Sequence, residues 1–443
     1  MMQDVIQFIE NSPLLTTIIG TVLATVIISL RGIMKKKEIS DTLVIDSQRN
    51  FIDLNKKWIS KGRKLISQKA FEFNHIILKD DAFIQNRDYL PLLAKKEWIP
   101  DHPIPIQSVK SELVEEVVPK IKPRTDILPY SSKTKRFSEY HAVIEELIKP
   151  PVFYNNRHYR LMDISMDEKS AKFDISKEPN SYFNKIDYGK TAELEFTDAI
   201  KTKNKLESSG LPGNLQKLPS KSSQKYRVQL LNTFKQNKDF SNTVILGGVS
   251  TLTLIQTKEG NFRFLMHLRS DDQGYAESTR HVVPAGEFQP INEGNNFETD
   301  SNILYNILRE YAEEIEGIEE ITGKENQRYD YETNPLFKKY FEAINKGDLK
   351  IYYLGFGLDP LSLQGEHMTC AIFKEDSFLK LFGSKVKSGN YEGEIISDSN
   401  IWGMEFNESN IQDQLMGNIL SAGEAIIMQV RKHLSFLKKD FSS

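Results

Sequence analysis

Residues 302–321 read NILYNILREYAEEIEGIEEI, and this stretch decides the fold prediction for the second half of the chain. Apolar side chains recur there at helical spacing and form one stripe, made of Ile303, Ile307, Leu308, Tyr311 and Ile315. Glu310, Glu313 and Glu314 fall at i, i+3 and i+4, so their carboxylates share one helix face. Clustered carboxylates repel one another unless solvent screens them or a cation lies among them, and oxygen ligands suit Mg²⁺ or Mn²⁺. The pattern therefore predicts a helix whose acidic face is either solvated or a divalent-cation site.

Strand-like segments flank this helix on both sides. Five apolar runs have the composition of strands, at residues 243–257, 261–270, 280–288, 351–359 and 368–373. A last helix is expected over residues 411–437. Cys370 is the single cysteine and lies in one of the apolar runs, so we expect it to pack in the core. The sequence thus predicts the α/β class for this half of the chain.

The order of elements around the helix resembles a known motif. A strand, the Pro-Ala-Gly-Glu turn at residues 284–287, a loop and a helix with Arg-Glu-Tyr-Ala-Glu-Glu at residues 309–314 together resemble the Nudix box. The resemblance implies that residues 241–443 form a Nudix-like mixed-sheet α/β/α sandwich. It also implies that Glu310, Glu313 and Glu314 are metal ligands and, in a hydrolase, the catalytic residues.

The motif departs from the family pattern at two places. Gly286 lies twenty-three positions before Arg309, nine more than in the family, and Glu316 occupies the place of the closing glycine, with Gly317 after it. A longer loop suits a larger ligand. It equally suits a pocket that has lost its catalytic geometry and only binds.

Further polar residues are candidates for ligand binding. His267 and Arg269 alternate with apolar residues on one predicted strand, Tyr275 lies in the turn that follows, and Arg280 precedes the Pro-Ala-Gly turn. Arginine offers paired hydrogen bonds to phosphate oxygens, and an aromatic ring gives a base a surface for stacking. Together with Arg309, these residues form the predicted ligand site; each also fits an ordinary surface or packing role.

The start of the chain predicts a membrane anchor. After a short segment of residues 1–12, residues 13–30 read PLLTTIIGTVLATVIISL, eighteen residues without a charge, and Arg31 and the lysines at 35–37 follow. This length approaches the ~20 residues that cross a bilayer. The basic cluster predicts a single-pass protein of the inner membrane with a cytoplasmic C-terminus. A buried core helix is the alternative reading.

One face of the predicted membrane helix is made of small residues. Hydroxyl and small side chains recur every four positions: Thr17, Thr21, Thr25 and Ser29, with Gly20 and Ala24 beside them. Such faces let membrane helices approach closely, so the pattern favours self-association. The other interpretation is that membrane helices simply tolerate these residues.

The region between anchor and Nudix-like half shows organisation and little chemistry. Residues 31–75 predict a basic amphipathic helix region that lies either on anionic lipid or on its own domain. Residues 76–240 predict an α+β middle region, with proline-rich extended chain, strands near 159–164 and 171–175, and a linker at 201–225. The net charge of −3 gives no general attraction to DNA, so no DNA partner is expected.

Two functions from different classes fit this order. An N-terminal membrane helix, a middle region and a degenerate Nudix-like domain resemble the transmembrane-Nudix effectors of bacterial cyclic-oligonucleotide antiphage systems. That resemblance implies a cyclic-oligonucleotide ligand, contact with membrane lipid, homo-oligomerisation and membrane disruption. The alternative is a membrane-tethered hydrolase of nucleoside diphosphate derivatives that uses Mg²⁺ or Mn²⁺.

Overall fold

The computed structural model describes residues 39–68, 90–150, 153–177, 179–207, 220–236, 240–269, 279–291, 296–319, 321, 330–383, 393–397 and 401–442. The predicted membrane span at 13–30, with its stripe of small residues, and Tyr275 lie outside these residues. Within the described ranges, no helix combines the length and the apolar character needed to cross a membrane.

The helices are mostly short and several continue into a π-helical turn. The α-helices are α1 (Asp41–Asp53), α2 (Ile59–Gln68), α3 (Tyr140–Val143), α4 (Tyr182–Lys185), α5 (Thr191–Glu207), α6 (Lys225–Gln236), α7 (Ile303–Glu310), α8 (Pro335–Asn345), α9 (Glu375–Phe382), α10 (Glu408–Met416), α11 (Ser421–Lys432) and α12 (Leu434–Ser442). The π-helical turns are Leu54–Trp58, Ile144–Ile148, Ile186–Lys190 and Tyr311–Ile315.

Seventeen strands lie in the described part of the chain. They are β1 (Ile104–Pro105), β2 (Val109–Val114), β3 (Tyr130–Ser132), β4 (Lys135–Arg136), β5 (Arg157–His158), β6 (Arg160–Met166), β7 (Ala171–Ser176), β8 (Asn180–Ser181), β9 (Ile245–Gln256), β10 (Phe262–Phe264), β11 (Met266–Arg269), β12 (Thr279–Val282), β13 (Ala285–Glu287), β14 (Leu349–Leu358), β15 (Gly365–Lys374), β16 (Gly393–Ile396) and β17 (Met404–Glu405). The chain therefore belongs to the α/β class, as the sequence predicted.

A large mixed sheet forms the centre of the molecule. Its order is β1-β14-β15-β9-β6-β7-β2, with β10 and β13 also paired to β9 and β17 paired to β10. Strands β9 and β15 run parallel over ten residue pairs. Strand β6 of the middle region pairs with β9 through Leu161 and Ile245. The predicted boundary at residues 240 and 241 therefore falls between elements that share one sheet.

Alternate residues of β9 face two different helical layers. On one face, Tyr311 packs in the same apolar cluster as Ile255, and its hydroxyl lies 2.6 Å from Oγ1 of Thr253. On the other face, Leu252 packs in a second cluster with Ile426 of α11. A strand with both faces covered needs a continuous apolar run, which explains the composition of residues 243–257.

The smaller sheet lies beside the large one and carries three predicted ligand residues. Its strand order is β12-β11-β16, all antiparallel. His267 on β11 pairs with His281 on β12, so their side chains share one face of this sheet. Arg269 shares that face, whereas Arg280 is on the opposite one.

The basic helical region packs on its own domain. Phe51 and Leu54 are buried with Leu194 of α5, and Leu65 is buried in the main core. These three apolar residues lie inside the molecule, whereas Leu43 and Ile45 near the start of α1 are exposed.

Two sequence expectations were wrong in their boundaries. The single helix expected over residues 411–437 is three helices. The backbone of Asn418 and Leu420 hydrogen-bonds to Arg280 and interrupts the run after α10, and a second break follows at His433. The linker expected from residue 201 begins as the last part of α5, where Phe196 and Ile200 hold the helix in the core.

Candidate functional site

The helix with the three glutamates packs directly on the Pro-Ala-Gly-Glu turn. Asn302 begins α7 by accepting a hydrogen bond from the backbone of Leu304 at 3.0 Å, as an N-cap residue does. A Cβ atom added at Gly286 would collide with the carboxylate of Glu310, so the glycine leaves the space that this carboxylate occupies. Oε2 of Glu314 accepts a hydrogen bond from the backbone N–H of Ala285 at 2.9 Å. The glutamates therefore hold the turn against the helix.

The third glutamate of the helix, Glu313, is directed away from the Pro-Ala-Gly-Glu turn. Oε1 of Glu313 accepts a hydrogen bond from the backbone N–H of Ile321 at 3.2 Å, beyond the end of the helix. Among the residues that the structure describes, no three His, Cys, Asp or Glu side chains come together closely enough to hold a metal ion. Glu310, Glu313 and Glu314 share a helix, and Glu313 and Glu314 are directed to two different backbone donors.

Arg309 is buried and holds the long loop that precedes α7. Its guanidinium donates hydrogen bonds to the backbone carbonyl of Gln289 and, at 2.6 Å, to Oδ1 of Asn306. Asn306 in turn donates to the backbone carbonyl of Asp300 at 2.7 Å. Asp300 accepts from the hydroxyl of Tyr331 at 2.6 Å. These bonds fix the two ends of the loop, so Arg309 has a positioning role where the sequence suggested a ligand contact.

A polar cluster lies on the other face of the large sheet, around Gly248 of β9. Gly248 pairs with Glu287 on β13 and with Glu366 on β15, so the two glutamates flank it from neighbouring strands. A Cβ at Gly248 would lie only 2.8 Å from Oε2 of Glu366, which shows that this carboxyl folds over the glycine. The hydroxyl of Ser250 lies 3.3 Å from the same oxygen and 3.1 Å from Nε2 of His281. We call Glu287, Glu366, Ser250, His281 and Lys185 the sheet-face cluster.

The middle region supplies the one lysine of this cluster. Lys185 ends α4, and its ammonium forms an ion pair with the carboxylate of Glu287. Burial opposes ionisation of Glu287, but Lys185 and His158 outweigh it and hold the pKa of this carboxyl below its usual value. The side chains of Lys185 and Glu287 stay 17% and 32% exposed, so solvent reaches this part of the cluster.

The second glutamate of the cluster has the opposite electrostatic character. Burial, followed by repulsion from Glu287 and Asp359, raises the pKa of Glu366 to about 7 against the opposing effects of Lys185 and Ser250. Burial also lowers the pKa of His281 well below its usual value, and Arg269 and His267 add to this effect. At neutral pH the cluster therefore holds one ionised carboxylate, one carboxyl that titrates, one ammonium and a neutral imidazole. Perturbed groups gathered at one place are typical of functional sites.

A second histidine beside the cluster lacks hydrogen-bond partners. His158 on β5 is fully buried, and neither ring nitrogen has a partner among the described residues. Its ring stacks on Tyr182 of α4 with centroids 5.7 Å apart. Burial, with the charge of Lys185, lowers its pKa to about 4 even though Glu287 acts in the other direction. Buried polar atoms are normally paired, so two unpaired nitrogens here indicate a place where a polar group binds.

The predicted ligand residues divide among three environments. His267 and Arg269 share a sheet face with His281, on the side of the sheet-face cluster. Arg280 instead donates a 2.8 Å hydrogen bond to the backbone carbonyl of Asp413. Arg309 is in the loop network described above. Sequence reasoning missed Glu366, Ser250 and Lys185 as one site, because only the strand register and the docking of α4 bring them together.

No protein-family model matches this chain, and comparison with curated proteins gives no significant match.

Proposed function

We propose that the C-terminal half has a Nudix-like fold that serves as a nucleotide receptor. Three features support the fold: a mixed sheet with helices on both faces, a small second sheet, and the close packing of Gly286 on Glu310. The third brings the glycine turn and the glutamate helix of the box-like motif together.

The observation that carries the receptor proposal is the sheet-face cluster. It combines an ammonium from Lys185, carboxyl oxygens from Glu287 and Glu366, and a hydroxyl from Ser250 around a glycine. The phosphate oxygens of a nucleotide would pair with the ammonium of this cluster, and the N–H groups of its base would pair with the carboxyl oxygens. The cluster supports a nucleotide, and the resemblance to transmembrane-Nudix effectors leads us to propose a cyclic oligonucleotide as the ligand.

Binding without hydrolysis is favoured by the positions of the helix glutamates. Glu313 and Glu314 accept backbone hydrogen bonds from Ile321 and Ala285, and a common metal ion would require both to leave these donors. A metal-dependent hydrolase remains the second candidate, because Glu310 and Glu314 both reach the glycine turn. In that case Mg²⁺ or Mn²⁺ would bind at these carboxylates.

The output we propose is at the membrane. The uncharged residues 13–30 and the basic residues after them support an inner-membrane anchor with the described regions in the cytoplasm. Ligand-driven homo-oligomerisation would bring the Gly20 and Ala24 faces of several anchors together and disrupt the bilayer. This is the output expected of an antiphage effector, and dye entry into cells that make the ligand is its direct measure.

The test is a binding and turnover experiment on the full-length chain in mild detergent. Cyclic di- and trinucleotides are screened by thermal shift with and without Mg²⁺, because a ligand that binds only the native state raises the unfolding temperature. Each sample is then analysed by chromatography for hydrolysis. Stabilisation by an intact cyclic nucleotide supports the receptor. Turnover of nucleoside diphosphate derivatives, lost when Glu310, Glu313 and Glu314 are all changed to Gln, would establish the hydrolase in its place.

A further inference from the structure

Glu366 has acceptor capacity that the described part of the protein does not use. Its carboxyl lies over Gly248, with Oε2 at 2.8 Å and Oε1 at 3.1 Å from the position of an added Cβ. In this part of the chain, the hydroxyl of Ser250 is its one hydrogen-bond donor, at 3.3 Å from Oε2. A carboxylate offers about four lone-pair positions, so most of them are left for a ligand.

The rest of the cluster does not compete for this carboxyl. Lys185 is paired with Glu287 on the other side of Gly248, and His281 meets Ser250 through Nε2. After burial, the largest electrostatic effect on Glu366 is that of Lys185, which opposes the repulsion from Glu287 and Asp359. A ligand that supplies neutral N–H donors would therefore meet a carboxyl whose one hydrogen bond within the described residues comes from Ser250.

His158, whose ring nitrogens have no partner among the described residues, is an independent sign of a ligand at the Lys185 and Glu287 side of the sheet-face cluster. His158 is fully buried, both its ring nitrogens are without partners in the described ranges, and it acts electrostatically on Glu287 and Lys185. A buried imidazole that gains no internal hydrogen bond carries a desolvation cost, which a bound polar group would remove. The stacked ring of Tyr182 adds an aromatic surface beside it.

We propose that the Glu366 carboxylate reads a guanine base by accepting its two adjacent N–H donors over Gly248. This inference rests on the proposed nucleotide-receptor function and adds the class of base. An ionised carboxylate only accepts hydrogen bonds. Guanine presents an imino and an amino donor side by side on its Watson–Crick edge, whereas the corresponding edge of adenine pairs a donor with an acceptor. A site built to receive two donors leaves a buried polar atom unpaired when the wrong base enters, so it discriminates strongly.

The proposal has a consequence for pH. Guanine binds the ionised carboxylate, so binding releases the proton that Glu366 holds at lower pH. With a pKa of about 7, the ionised fraction rises from about 0.1 at pH 6 to about 0.9 at pH 8, an affinity gain of roughly tenfold. The protonated carboxyl would suit adenine instead, because its O–H donates while its carbonyl oxygen accepts.

The experiment measures affinity of the full-length chain for cyclic di-GMP and cyclic di-AMP by calorimetry at pH 6, 7 and 8. We expect cyclic di-GMP to bind roughly tenfold more tightly at pH 8 than at pH 6, with proton release detected from buffers of different ionisation enthalpy. E366Q should remove the pH dependence and weaken cyclic di-GMP binding at pH 8. E366D, which keeps the charge, should retain part of the pH dependence, and the exposed E168Q should match the wild type.

The outcomes separate this inference from the function on which it rests. Binding of cyclic di-AMP that equals or exceeds that of cyclic di-GMP at pH 8 would overturn the guanine assignment and leave the receptor in place. If the affinity of the wild type for cyclic di-GMP does not change between pH 6 and pH 8, the guanine assignment is likewise wrong and the receptor stays in place. If no cyclic nucleotide binds at any pH, both the receptor and the base assignment are wrong.

Discussion

Changing Glu366 to Gln should make the protein more stable at high pH and leave its stability at low pH nearly unchanged. The cause is the raised pKa of this carboxyl, about 7 in the folded protein against an ordinary value of 4.5. Between these two values the folded state holds a proton that the unfolded state has lost, so stability falls as the pH rises from 4.5 to 7. At about 1.4 kcal/mol per pH unit, the loss of stability over this pH interval is roughly 3 kcal/mol. Partial exposure of the carboxyl reduces the expected loss to about 2 kcal/mol.

The assay is urea unfolding of the full-length chain followed by tryptophan fluorescence, since Trp98 and Trp402 are both buried in the main core. The free energy of unfolding of E366Q minus that of the wild type should be about 0.5 kcal/mol at pH 5 and about 2 kcal/mol at pH 8. E168Q changes an exposed glutamate and is the matched control. A difference between E366Q and the wild type that is the same at pH 5 and pH 8 would refute the raised pKa.

Two further predictions concern the packing of the glutamate helix. Gly286→Ala should lower the free energy of unfolding by about 1 to 3 kcal/mol, because its Cβ meets the Glu310 carboxylate. Gly62→Ala is the control, since its Cβ would have only ordinary contacts at 3.4 Å and beyond, and urea midpoints compare the two. Arg309→Met should cost about 2 to 4 kcal/mol by leaving buried acceptors unpaired, whereas Arg431→Met on the surface should change stability by less than about 0.5 kcal/mol. Equal losses in both arginine variants, measured by thermal unfolding, would contradict the buried role of Arg309.

The strands of the central sheet could be predicted because their signal is local. Residues 243–257 form a long, mainly apolar run, as a strand buried on both faces requires. Strand β9 occupies Ile245–Gln256 of this run. The break between α10 and α11 could not be predicted in the same way. It depends on the backbone of Arg280, far away in sequence, which pairs with Asn418 and Leu420.

In the candidate site, too, features within one strand could be predicted from the sequence, and contacts between residues far apart in sequence could not. Alternation along β11 was enough to assign His267 and Arg269 to one face. By contrast, Glu366 reaches Ser250 across 116 positions of sequence, and Lys185 reaches Glu287 across 102. Such pairs depend on strand register and helix docking, which a single sequence does not encode in any short pattern.

The position of Lys185 gives a physical reason for coupling the ligand site to the start of the chain. It ends α4, and the helical run continues through the π-helical turn Ile186–Lys190 into α5. Along α5, Lys201 forms an ion pair with Asp53 of α1, and Phe196 lies against Gly62 of α2. A phosphate that drew Lys185 away from Glu287 would therefore act on the same rigid run that holds α1 and α2. Because α1 begins at Asp41, a few residues after the basic cluster at 35–37, this run connects the sheet-face cluster with the part of the chain nearest the predicted anchor.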